Sequence, residues 1–464
     1  MITESVLQRA LELATENGAD FAEVFAEDTT SNNVTMMDGK VESATTARVT
    51  GVGIRVLKGT QSAYASTSGH EAEDIYRTAK AAAAGLFGAE DKGSVARSFQ
   101  RQSFAVPVEI PFGSVQNDRR IAMMREGYLA AKSGSDAIKQ VTVRYLDRTR
   151  RTLVCNTEGL CVTEERPYTR TAFVALAREG DEAQMGAESP GYCCGFEAYR
   201  SRIDAAEMGK RAATMAVTLL GAKECPSGNL PVVIDGGFGG VIFHEACGHS
   251  LEATSVGIGN SEFCGKLGQA VASPCVNAVD DGTMPFEWGS MFVDDEGNPA
   301  QRNLLIENGV LKGYLVDRLG SRRMGMPMTG NSRRQDYTFA PTSRMTNTFL
   351  LPGNDDRDEM IRTMGTGLYA KKMGGGSVNP LTGQFNFSVS EGYWVQDGKI
   401  AYPVRGAMLI GKGTEVLWKI DRVGKTMWMA PGMCGSLSGS VPTNVGQPTI
   451  RVTSLTVGGK GGAV

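Results

Sequence analysis

His244 and His249 flank a glutamate in the stretch Phe243-His244-Glu245-Ala246-Cys247-Gly248-His249, and the whole chain has only 3 histidines. Neutral imidazoles are zinc ligands, and a neighbouring carboxylate can take a proton from the water a metal activates. These are the residue types of a hydrolytic metal site. The spacing is one residue longer than in the common zinc-protease helix, whose two histidines are four apart. On a regular α-helix, residues four apart diverge by about 40° and residues five apart by about 140°. Both rings can face one ion only if the helix ends, widens or unwinds between them. Gly248, directly before the second histidine, is where the backbone does so at low cost. The expectation is a helix that begins near 238–240, carries His244 and Glu245, and loses regular geometry at or before His249.

A catalytic zinc commonly takes three protein ligands and leaves one position for water, so a third donor is required. Residue type and spacing leave Cys434, Glu252, Cys247 and Asp235 open. Glu252 follows His249 by three residues and could reach the same centre or orient an imidazole from behind it. Cys434 lies in Ala430-Pro431-Gly432-Met433-Cys434-Gly435, which reads as a glycine-flanked turn, and a thiolate there suits zinc. The remaining histidine, His70, precedes a helix and reads as a surface loop residue or helix cap. The run Gly236-Gly237-Phe238-Gly239-Gly240 raises a rival use of the segment, a phosphate cradle at a helix N-terminus. It has no Walker lysine, and its glycines do not match the dinucleotide-binding spacing. Three fixed positions also arise by chance. What favours the metal reading is that the motif takes two of the 3 histidines and follows a glycine-rich strand-to-helix turn.

The elements that must position these residues fall into two groups. Residues 3–17 put Val6, Leu7, Ala10, Leu11, Leu13 and Ala14 on one helical face. Strands are expected over Phe21–Glu27, Asn33–Met37, Val41 onward, Val52–Leu57 and Ser62–Ser66, with a hairpin turn at Asp38-Gly39. Helices are expected at 71–86, 119–133 and 205–220, with further strands at 141–146, 151–155, 160–164 and 169–177. Cys225-Pro226-Ser227-Gly228 breaks the pattern, and a domain boundary is expected near 222–228. Beyond it come a short buried-type strand at 230–234 and a succession of short strands, among them 291–294, 304–307, 310–315, 384–391 and 449–457. Asn308-Gly309, Asp397-Gly398 and Gly374-Gly375-Gly376-Ser377 read as turns between them. The fold class is therefore α+β: an N-terminal α+β domain (1–225) of antiparallel strands with flanking helices, then a β-rich C-terminal domain (226–464) carrying a short zinc-binding helix.

Composition bounds the function. The chain has 464 residues, 41% hydrophobic and 21% charged, with a formal net charge of −3. That is a globular composition long enough for two cores, without the basic excess that nucleic acid or an anionic membrane would select. Glycine accounts for 58 of the 464 residues, one in eight, which suits a turn-rich sheet region. The N-terminal helix carries acids among its apolar residues and does not read as a signal peptide, and no apolar run approaches membrane-spanning length. The 9 cysteines are odd in number and irregularly spaced, which predicts reduced thiols and a cytoplasmic location.

The block from Val233-Ile234-Asp235 to His244-Glu245-Ala246-Cys247-Gly248-His249-Ser250-Leu251-Glu252 resembles the signature of the TldD/PmbA family, in particular its zinc-bearing TldD-type branch. Further stretches are similar to that family: Arg333-Arg334-Gln335-Asp336-Tyr337, Arg344-Met345-Thr346-Asn347-Thr348, Glu391-Gly392-Tyr393, Pro403-Val404-Arg405-Gly406, and Cys434-Gly435 with Val445-Gly446-Gln447-Pro448-Thr449. The resemblance spans nearly the whole chain and is strongest from 230 to 455. It implies a zinc-dependent metallopeptidase acting on unfolded or extended peptides, with one Zn2+ per chain. His244, His249 and Cys434 would be its ligands and Glu245 its general base. It implies a homodimer, or a heterodimer with a related zinc-less subunit, with the N-terminal domain serving dimerisation and substrate access. The alternative is a non-catalytic regulatory or binding subunit of such a complex. Arg333, Arg334 and Arg344 read either as substrate clamps or as structural ion pairs.

Overall fold

The computed structural model describes residues 2–86, 93–379 and 382–464. The protein is α+β, as its patterning predicts. The first helix, Glu4–Ala14, buries Leu7, Ala10, Leu11, Leu13 and Ala14 on one face. Ala72–Ala84 buries Ile75, Ala79, Ala82 and Ala83. The two helices share a core with Val24, Val52, Ile54 and Val56 of an eight-stranded sheet. A second pair, Asn117–Lys132 and Ala205–Leu220, covers Val143, Phe173 and Ala175.

That sheet runs in the order Gln61–Thr67, Lys40–Lys58, Phe21–Met37, Ile138–Asn156, Leu160–Glu179 and Gln100–Ala105. Its neighbours are antiparallel except the last pair, which is parallel. Segments expected to be separate strands are continuous: Phe21–Met37 is one strand of 17 residues, and Ile138–Asn156 one of 19. The polar run between Glu27 and Val34 interrupts the apolar pattern but not the ladder. Its side chains bond across strands, Asp28 to Arg48 at 2.8 Å and Asn32 to Asp147 at 2.7 Å. Asp38 and Gly39 turn the hairpin at φ 47° and 80°, as an Asp-Gly pair allows. One pair departs from the expected reduced thiols: Cys155 and Cys161, opposite each other on adjacent strands, form a disulfide.

The second half builds a mixed twelve-stranded sheet around the 20-residue strand Gly439–Gly458. This strand pairs antiparallel with Gly228–Ile234 and with Ile420–Ser436, and parallel with Asn347–Leu350. Three expectations change here. The glycines 374–376 lie inside the strand Gly367–Val378, where the register shifts, and not in a turn. Residues 291–294 form no strand beyond an isolated bridge at Val293. Cys434 lies within Ile420–Ser436, opposite Val441, and not on an exposed turn. Among the described residues no helix is long and apolar enough to cross a membrane.

Buried ions lock the first sheet to loops of the second half at Asp295, Glu296 and Arg334. Glu23 meets Arg55 at 3.0 Å and Arg334 at 2.7 Å, and Arg55 also pairs with Glu296. Asp295 meets Arg150 at 3.2 Å and Arg166 at 3.3 Å. Removing these charges from water is repaid only by such mutual pairing. Arg334 is thus structural. Arg333 is buried as well, donating to the Met345 carbonyl at 2.7 Å, and burial pushes its guanidinium down to about 10.

Candidate metal centre

The strand Gly228–Ile234 delivers the chain into the glycine run, and the glycines serve close packing. A Cβ at Gly240 would meet the Gly446 backbone at 2.5 Å. The segment therefore lies directly against the long central strand, and this contact, not a phosphate cradle, accounts for the absent side chain. The backbone is 3-10 at Gly237–Gly240, α-helical at Val241–Phe243, π-helical at His244–Gly248 and 3-10 again at His249–Leu251. The predicted loss of regular geometry is this π segment. The His249 N–H bonds to the His244 carbonyl, an i→i+5 link that stacks residues five apart on one side. The extra residue in the motif is absorbed by a wider turn. Gly248 stays helical, and its lack of a side chain admits Met345, whose Sδ lies 2.2 Å from where a Cβ would be.

The imidazoles stand nearly perpendicular, with planes at 83° and centroids 5.1 Å apart. Nε2 of His244 and Nε2 of His249 each lie 3.2 Å from Cys434 Sγ. The three donor atoms fall within 4.8 Å of one another. The hairpin Ile420–Ser436/Gly439–Gly458 carries Cys434 to this point. In tetrahedral zinc with ordinary Zn–S and Zn–N lengths, neighbouring ligand atoms are about 3.5 Å apart. The two N···S distances need only a slight opening, and two imidazoles with a thiolate are a fitting donor set. Burial opposes ionisation of the Cys434 thiol, but the charges and hydrogen bonds of His244 and His249 outweigh it and hold the group well below its ordinary value. Burial likewise opposes protonation of His249, and Glu252 and Cys434 outweigh it, raising that imidazole.

His244 and Cys434 are buried, whereas the Glu245 side chain is 28% exposed, with Oε2 3.8 Å from His249 Nε2. A carboxylate in that position is reachable by water and lies on the side of the ligand atoms. The other candidates lie elsewhere. Glu252 accepts from His249 Nδ1 at 3.1 Å, behind the ring. Cys247 is buried in the apolar core. Asp235 accepts from Tyr369 at 2.6 Å and from Thr449. His70 is a surface loop residue, Nε2 2.8 Å from Thr50 Oγ1. Arg344, read as a possible substrate clamp, is fully buried and donates to the Cys434 carbonyl and to Ser438 Oγ at 3.0 Å. Its role was invisible in the motif because its partners lie about 90 residues downstream.

Profiles of three consecutive PmbA/TldA metallopeptidase domains match the chain: domain 1 at residues 22–85, the central domain at 110–220 and the C-terminal domain at 227–459. A Haemophilus influenzae protein named metalloprotease TldD homolog is 32% identical over 470 residues, 99% of this chain and 97% of that protein. The chain belongs to the PmbA/TldD metallopeptidase family. Another relative, named metalloprotease, from Methanothermobacter thermautotrophicus, is 33% identical and covers 96% of each chain. A more distant one, from Saccharolobus solfataricus, is named zinc metalloprotease TldD homolog and is 29% identical over 70% of this chain and 72% of its own length. Among solved structures, a Thermotoga maritima protein described provisionally as a modulator of a DNA gyrase superposes with TM-score 0.79 and 25% identity, covering 98% of this chain and all of that one. TldE from Thermococcus kodakarensis shares the PmbA/TldD fold at TM-score 0.77 and 17% identity, covering 98% of this chain and 99% of its own.

Proposed function

We propose that this chain is a zinc-dependent peptidase that hydrolyses bonds in unfolded or extended peptides, with one zinc per chain held by His244, His249 and Cys434. The convergence of those three side chains beside Glu245 carries this reading. Held by these three residues, a zinc would supply polarisation of the scissile carbonyl and a bound water with its pKa lowered to about 7. Glu245 is the general base: its carboxylate takes a proton from the attacking water and passes it to the leaving amine. His244 and Cys434, both buried, keep the closed side of the site dry. We assign the peptidase unit to residues 226–464, which contain every one of these groups, and dimerisation and substrate access to 1–225, in a homodimer or a heterodimer with a related subunit. A cytoplasmic location goes with this reading.

The second reading, a non-catalytic subunit, is disfavoured by the complete ligand set with its carboxylate. A purely structural zinc is disfavoured because such sites usually take four protein ligands and have no use for a neighbouring acid. The test pairs metal quantification with cleavage of an unstructured peptide. About one zinc per chain and metal-dependent cleavage are expected for a mononuclear catalytic site; zinc without cleavage would favour the structural reading.

A further inference from the structure

We infer that Glu252, backed by Arg344, is the positioning residue that aims His249 at the metal. The inference rests on the metal-binding reading above and extends it to how the ligands are held. Glu252 is 3% exposed, and its Oε2 lies 3.1 Å from His249 Nδ1. A carboxylate can only accept there, so Nδ1 carries a proton and Nε2 is the nitrogen left to serve the metal position beside Cys434. The backbone on either side of Glu252 is pinned to Leu315: Leu315 N–H donates to the Leu251 carbonyl at 3.0 Å, and Ala253 N–H donates to the Leu315 carbonyl at 2.7 Å.

Behind the carboxylate stands Arg344. Glu252 Oε1 and Arg344 Nε are both buried without a hydrogen-bond partner, and they face each other at 3.9 Å. The rest of the guanidinium donates to the Cys434 carbonyl, to Ser438 Oγ at 3.0 Å and to the Gly439 carbonyl at 2.8 Å. Arg344 therefore touches both halves of the site, the segment after the π turn and the hairpin that carries the thiol. It also supplies the opposite charge that a buried carboxylate needs.

Two other roles for Glu252 fit less well. Ligation is blocked by geometry, because the carboxylate sits on the edge of the imidazole away from Nε2. Capping is absent, because the side chain accepts no bond from the helix that follows. The histidines are also unequal. Nδ1 of His244 is buried with no partner among the described residues, so His249 alone is aimed by a carboxylate.

The experiment is zinc affinity by chelator competition on the full chain, with the absorption spectrum of the cobalt-substituted protein as a readout of ligand geometry. E252A is expected to bind zinc about 10–100-fold more weakly, the usual effect of removing a group that orients a metal-bound histidine, and to alter the cobalt spectrum. E252Q, whose amide oxygen still accepts from Nδ1, should recover most of the affinity. E252D keeps the charge but withdraws the oxygen by one carbon and should weaken binding about tenfold. Wild-type affinity and spectrum in E252D overturn the inference even if E252A does not fold, and so does E252Q binding as weakly as E252A. If the wild-type chain binds no zinc, the metal reading itself fails and takes this inference with it. If it binds zinc and the Glu252 variants bind equally well, only the inference fails.

Discussion

Cys434 Sγ lies 3.2 Å from Nε2 of His249, a residue 185 positions earlier in the chain. The contact completes the proposed ligand set, so metal should depend on the thiol as much as on the histidines. At a zinc concentration 100 times its Kd, binding to the folded state alone stabilises the wild-type protein by about 2.7 kcal/mol. Cys434→Ala and His244→Ala should show little of this stabilisation and should lose stoichiometric zinc. Thermal melts with and without zinc, alongside metal analysis, check both. Wild-type zinc content in Cys434→Ala would remove the thiol from the proposed ligand set.

Glu245 shares a side with the ligand atoms yet is more exposed than they are. Glu245→Ala should keep zinc and fold normally, while peptide hydrolysis falls by about 10²–10⁴, the range for loss of a general base. Full activity in this variant would show that another group takes the proton.

Glu23 holds Arg55 on the neighbouring strand and Arg334 from the second half of the chain, and its side chain is fully buried. Glu23→Ala leaves Arg334 and part of the Arg55 pairing uncompensated. A loss of about 3–5 kcal/mol is expected, the usual consequence of breaking a buried pair from one side. Urea denaturation measures it, and a loss below about 1 kcal/mol, the scale of an exposed pair, would show that the junction is solvated.

The same junction makes stability depend on pH. Burial, followed by the nearby charge of Glu296, pushes Asp294 up to about 8 and Asp317 up to about 7, from an ordinary 3.8. Both groups hold their protons more tightly folded than unfolded. Their contribution is complete below the unfolded value and is lost as pH rises through the folded one. Asp295 is the opposite case: burial raises it, but Arg150, Arg166 and Arg334 prevail and bring it down to about 2. Its contribution is lost only as pH falls from about 4 towards 2. Thermal stability should therefore decline between about pH 4 and pH 8, and Asp294→Asn should flatten that slope. An unchanged slope in Asp294→Asn would exclude this carboxyl as its source.

Much of the site was legible because it is local. The His244–His249 spacing conflicts with a regular helix on arithmetic alone, and the π turn resolves that conflict. The helix at Ala205–Leu220 follows directly from its apolar period. Cross-strand effects were not legible. The polar residues after Glu27 look like a break until Arg48 and Asp147 are seen to pair with them. The glycines 374–376 look like a turn until the facing strand, Gln384–Gln396, shows that they are a bulge.

Sequence alone determined the two histidines, their glutamate and the need for a distorted helix, because those depend on neighbours within a few bonds. Residue type and spacing left Cys434 and Glu252 as rivals for one position, and a family resemblance was needed to prefer the thiol. Tertiary structure gave each a separate place, Cys434 facing Nε2 and Glu252 facing Nδ1 of the same ring. It also turned Arg344 from a candidate substrate clamp into the tie between them. The physical reason is that an imidazole has two nitrogens pointing in opposite directions, and only the packing of a distant hairpin against the π turn decides which partner each nitrogen meets.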